Sequence, residues 1–180
     1  MKSDLPNRRI DIVIPKTQIP TWCNKQNVGG SIRMDPLPNM DDKNLIGVAC
    51  CITFVAHDHP TNLGEGWLLH ISVSFCSYKG GWCSIRTPLH IGTDLITVDL
   101  EHLLLTFFTR EAFKGYAARV GFHDDDNIEL VSGLSDPPGL HFEAKNCGYR
   151  WIFKEDLDKL NPQMMFGGNS SVQNMYLTND

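Results

Sequence analysis

Basic clusters are scarce in this sequence, and that bears first on its partners. Its 180 residues carry 16 lysines and arginines against 21 aspartates and glutamates, a formal charge of −5. The longest basic run is Arg8-Arg9, while Asp41-Asp42 and Asp124-Asp125-Asp126 are acidic. Phosphate contacts dominate nucleic-acid affinity and need a basic stripe, so nucleic acid is excluded as the expected partner. No apolar run approaches the roughly 20 residues of a membrane helix, so no membrane partner is expected either. The opening MKSDLPNRRI has charge and proline but no apolar core, unlike a secretory leader, which makes the expected compartment the cytoplasm or nucleus.

Local catalytic and cofactor signatures are missing too. Gly29-Gly30-Ser31 lacks the lysine of a phosphate loop and the helix that would follow it, and reads as a turn before a strand. There is no G-x-S-x-G elbow, and no cysteine stands in a protease signature. His123 before Asp124-Asp125-Asp126 lacks the spaced oxygens, glycine and glutamate of a calcium loop. His57-Asp58-His59 could present two imidazoles, but it ends at Pro60 with no third ligand near in sequence. The six cysteines (23, 50, 51, 76, 83 and 147) form no C-x-x-C pair and read as buried thiols. Neither an enzyme nor a cofactor or metal site is expected.

What the sequence has in plenty is strand pattern. A composition 42% hydrophobic and 21% charged is ordinary for a globular domain. Ile10, Ile12 and Ile14 share one face; residues 45–55 form a near-continuous apolar run; residues 68–76 alternate. Further strands are expected at 31–34, 82–86, 95–99, 102–108, 127–132, 140–145 and 149–154, with Asp58-His59-Pro60, Gly64-Glu65-Gly66, Gly80-Gly81 and Asp136-Pro137-Pro138-Gly139 as turns. Only Arg110–Arg119 and Lys154–Leu160 look helical. Regular short strands predict an all-β, antiparallel β-sandwich of jelly-roll or immunoglobulin-like type over residues 1–160, followed by a polar, flexible tail at 161–180.

The stretch IPTWCNKQNVGGSI (19–32) supplies a resemblance. It is similar to the I-P-x-W-F-x-x-Q-S-V-G-S-S-I pattern of the C-terminal jelly-roll/immunoglobulin-like domain of certain plant intracellular immune receptors. That domain follows the leucine-rich repeats in receptors that begin with a Toll/interleukin-1 receptor domain. Ile19, Pro20, Trp22, Asn24, Gln26, Val28, Gly29, Ser31 and Ile32 match. Leu37, Pro38, Gly47, Ala49 and Cys50 resemble a second motif of the family. Phe142, Ala144, Lys145, Cys147, Gly148, Arg150, Phe153, Asp156 and Leu157 resemble its closing motif. The three fall in the family's order across residues 10–160. Lys16-Thr17-Gln18, Cys23 and Glu101 depart from its usual P-G-S-E, aromatic and Asp.

The resemblance implies a non-enzymatic recognition domain that helps bind a pathogen effector beside the leucine-rich repeats of the same receptor. Any nicotinamide-dinucleotide cleavage would belong to a domain this chain does not contain. The candidate partner-binding residues are His57, Asp58, His59, Asn62 and Glu65 in one loop, with Tyr78, Lys79 and Trp82 in another, where polar groups accompany aromatic anchors. Ile19, Pro20, Trp22, Gln26, Gly29, Ser31, Gly47, Cys50, Cys147 and Gly148 are assigned to structure. The alternative is a carbohydrate-binding sandwich using Trp22, Trp67 or Trp82, with a hydrolase a more distant third.

Overall fold

The computed structural model describes residues 9–15, 18–57, 69–77, 81–89, 99–122, 127–134, 141–157, 159 and 175–178. They form two antiparallel sheets with two short helices, an all-β sandwich. In chain order the strands are β1 (Arg9–Pro15), β2 (Lys25–Val28), β3 (Ser31–Arg33), β4 (Leu45–His57), β5 (Leu69–Ser77), β6 (Gly81–Leu89) and β7 (Glu101–Thr109). After helix α1 (Arg110–Val120) come β8 (Ile128–Leu134), β9 (His141–Phe153), helix α2 (Lys154–Leu157) and β10 (Met175–Thr178). The larger sheet runs β10-β1-β7-β4-β9-β2 and the smaller β3-β8-β5-β6.

The apolar run at 45–55 becomes the central strand β4 because both of its faces are covered. Cys50 and Cys51 point to opposite sides of the sheet, as adjacent strand residues must. Cys50 joins Val48, Ile52, Phe54, Leu104, Phe108, Cys147 and Tyr149 against Val73, Phe75, Ile128 and Leu130 of the smaller sheet. Cys51 joins Ile12, Ile14, Leu103, Leu105 and Ile152 on the outer face. Aromatic edges lock the inner layer: the Phe75 ring lies 5.0 Å from Phe113 and 5.6 Å from Phe108, both edge-to-face.

Helix α1 starts and stops on local signals. Thr109 accepts a hydrogen bond from the Ala112 amide (3.2 Å), Glu111 stands in the first turn, and Gly121 takes the left-handed conformation (φ 69) that ends the helix. α2 is a single turn rather than the expected 154–160.

Three expectations change. Lys25–Val28, absent from the expected strands, is an edge strand with all four residues exposed, so no apolar alternation betrays it. Residues 140–145 and 149–154, read as two strands, are one thirteen-residue strand. Its polar centre at Asn146–Gly148 pairs with β4 on one side and β2 on the other. Residues 175–178, placed by their polarity in a tail, pair with β1. Of the expected strand at 95–99, residues 95–98 lie outside the described set and Asp99 sits in a turn with φ 63.

Burial has an electrostatic consequence. It pushes the Cys147 thiol up to about 11 and the Tyr149 phenol up to about 12, and raises the Cys50 thiol well above its usual value. The native state holds protons that the unfolded chain releases from about pH 9 for the thiols and pH 10 for the phenol. Their contribution is complete below pH 9 and is lost as pH rises towards the folded values. The urea midpoint is therefore expected to fall steadily from pH 9 upward, and Tyr149→Phe to flatten the upper part of that fall. A midpoint constant to pH 11 would mean that these groups are solvated.

Candidate functional site

The register fixes which loops share an end of the sandwich. His57 at the end of β4 pairs with His141 at the start of β9, and nearby Val55 pairs with Glu101 at the start of β7. In the smaller sheet Leu69 pairs with Leu89 and Ile71 with Leu134. Gly30 lies between the sheets, its position for a side chain 2.7 Å from Ser132 Oγ and 3.4 Å from Ala144, which aligns the end of β8 with the start of β9. The connections 58–68, 90–100 and 135–140 thus all begin and end at the His57 end.

A cluster of polar side chains marks that end. His57 Nε2 lies 3.2 Å from Glu143 Oε2, and its Nδ1 3.4 Å from Asp99 Oδ1. The His57 and His141 rings stack at 6.3 Å. Lys145 Nζ donates to Glu143 Oε2 at 2.7 Å. The Lys145 ammonium first, and His57 second, hold the Glu143 carboxyl below its usual range. Asp99 is positioned by its amide, which donates to Ala56 O at 2.8 Å. Both ring nitrogens of His57 face carboxylates rather than a hydroxyl or thiol. No group of three or more ligands suited to a metal occurs among the described residues. The arrangement is a half-exposed, mixed-charge surface on a rigid strand end.

The strand ends that flank the two candidate loops lie at opposite ends of the sandwich. β5 ends at Ser77, which pairs with Gly81 at the start of β6 and with Ile128 at the far end of β8. Eight strand steps, about 27 Å at ~3.4 Å each, separate it from the Leu69 end. His57 is placed at the cluster. Asp58, His59, Asn62, Glu65, Tyr78 and Lys79 lie outside the described residues, as does Trp67. Trp82 stands on β6 opposite Cys76. Of the other members of the cluster, Asp99, His141 and Glu143 carry no sequence signal and Lys145 only its place in the closing motif; strand register brings them to His57.

The motif residues are structural in position. Ile19, Cys23 and Trp22 pack on the outer face of the larger sheet. Pro20 O accepts from the Cys23 amide at 2.9 Å, and Gln26 Nε2 donates to Cys23 O at 2.7 Å, tying the segment into a compact turn. Gly29 takes φ 93, a conformation costly for a side chain, and Ser31 opens β3. Gly47 and Gly148 face close backbone, and Cys50 and Cys147 are core. The Trp22 ring packs on the sheet rather than standing free as a sugar platform, with its Nε1 buried. Trp22→Ala is expected to cost about 3 kcal/mol, near the low end for large aromatic truncations because the ring is half-buried. Differential scanning calorimetry reads this directly; an unchanged melting temperature would release Trp22 for a binding role.

No protein-family model matches the chain, and no curated protein matches it. The fold and the cluster define a β-sandwich with a polar loop-bearing end. No helix among the described residues is long and apolar enough to cross a membrane.

Proposed function

We propose that this chain is a recognition domain of a plant intracellular immune receptor, acting in the cytoplasm or nucleus beside leucine-rich repeats of the same receptor and binding a pathogen effector protein. The three ordered motifs that resemble the post-repeat domain support the family. The observation that carries the binding mode is that the strand ends flanking three connections lie at the end of the sandwich that bears the His57–Asp99–Glu143–Lys145 cluster. Loops mounted on rigid strand ends are the usual carriers of recognition. A mixed-charge rim gives specificity and orientation more than raw affinity. The strand ends that flank residues 78–80, Ser77 and Gly81, lie at the opposite end of the smaller sheet.

The test is a panel of secreted pathogen proteins screened against the whole chain by biolayer interferometry, with a glycan array in parallel. A binding effector that loses at least tenfold affinity with Glu143→Lys, at unchanged melting temperature, supports this reading. Effector binding indifferent to Glu143→Lys would move the site elsewhere. Saturable binding to a glycan with no protein ligand would replace the reading by the carbohydrate-binding one.

A further inference from the structure

β1 would be an open edge of the larger sheet if β10 were absent, and its inner face carries an unmet polar demand. Arg9 and Asp11 are 5% and 0% exposed. Arg9 Nε donates to Asp11 Oδ1 at 2.9 Å, and Thr106 Oγ1 donates to the same oxygen at 2.7 Å. The guanidinium carbon lies 5.1 Å from the Phe108 ring centroid. Arg9 Nη1 and Nη2 and Asp11 Oδ2 are buried without a hydrogen-bond partner. Buried polar atoms are nearly always satisfied, and leaving one unmet costs about 1–3 kcal/mol, more when it is charged.

The strand on this edge is the chain's own Met175–Thr178, with Thr178 in register with Arg9 and Tyr176 with Asp11. It is four residues long, and seventeen residues (158–174) separate it from α2. β2 and β3, by contrast, are joined to each other by two residues. A short strand on a long tether thus pairs with an edge whose Arg9 and Asp11 keep polar atoms without a partner.

We infer that the β1 edge is a strand-addition site which β10 occupies as a placeholder, and that its partner is an extended segment of another protein carrying an acidic residue opposite Arg9 and a serine or threonine opposite Asp11, where the placeholder carries the bulkier Tyr176. Main-chain pairing supplies affinity in this mode and alternate side chains supply specificity. A carboxylate opposite Arg9 meets both free guanidinium nitrogens in a fork. A hydroxyl opposite Asp11 donates to Oδ2. This surface is separate from the His57 end, and neither reading depends on the other.

The experiment uses the full chain with Tyr176→Pro and Leu177→Pro together. Adjacent residues of a strand direct their amides to opposite sides, so one of the two prolines removes a donor facing β1. Two labelled peptides spanning residues 172–180 are titrated by fluorescence anisotropy, one native and one carrying Tyr176→Ser and Thr178→Glu. The substituted peptide is expected to bind the double-proline chain about tenfold more tightly than the native one, and at least threefold. A ratio below threefold, or no saturable binding of either peptide, overturns the inference. So does loss of the cooperative melt in the double-proline chain, because a placeholder strand is not required for the fold.

Discussion

Gly47→Ala is expected to melt about 10 °C below the unaltered chain, for an overpacking cost of about 3 kcal/mol at roughly 2–4 °C per kcal/mol in a domain of this size. Gly47 lies in the middle of the larger sheet, paired with Thr109 of β7 and Ile152 of β9. The register of β4 on β9 slips between Leu45 and Gly47, a local bulge. A Cβ there would overlap the Phe108 carbonyl oxygen and stand 2.8 Å from Phe107 Cζ. The ring could turn aside; the carbonyl belongs to a strand paired on both sides, so the clash must open the ladder. Gly115 provides the contrast. It lies in α1, exposed, with nothing within 4 Å of an added Cβ. Gly115→Ala is expected to stabilise by about 0.5–1 kcal/mol, the helix preference for alanine over glycine. Thermal melts of the two variants should move in opposite directions. A Gly47→Ala melt within 2 °C of the parent would contradict the close approach.

Gly47 also shows what kind of information the sequence carries. Its motif, with Ala49 and Cys50 after it, is visible as a pattern, but the reason for the glycine lies on β7, some sixty residues away in the chain. The strands with alternation or long apolar runs, β1, β4, β5 and β7, are legible because burial on one or both faces dictates their side chains. β2 is not, since an exposed edge strand buries nothing. β9 looks interrupted because Asn146 and Gly148 are chosen by neighbouring strands: a Cβ on Gly148 would meet Lys25 O at 2.6 Å, and Asn146 Nδ2 donates to Thr53 Oγ1 at 3.2 Å. The His57 cluster is illegible for the same reason. His57, Asp99 and Glu143 lie on three separate elements, and only pairing of β4 with β7 and β9 makes them neighbours.

The other large effect is expected at Asp156→Ala, where about 3 kcal/mol should be lost, the lower end of the range for breaking a buried ion pair, since Arg150 keeps some solvent contact. Asp156 is 6% exposed and its two oxygens are both used. Oδ1 accepts from Arg150 Nη2, and Oδ2 accepts from the Phe153 amide at 2.9 Å, satisfying one of the orphan donors at the start of α2. Arg150 Nη1 in turn donates to Trp22 O at 2.9 Å. One carboxylate thus fixes the end of β9, the α2 turn and, through the guanidinium, the segment that lays Ile19 and Trp22 on the outer face. Alanine leaves the guanidinium without its counter-ion and the amide without an acceptor. Asparagine keeps an acceptor for one of them and should fall between. Because the arginine links the two sites, Asp156→Ala and Trp22→Ala should not add: a double-mutant cycle in urea is expected to give a coupling of at least about 0.5 kcal/mol. Strict additivity would show that the Trp22 segment is held on the sheet by its apolar contacts alone, with Arg150 serving only β9 and α2.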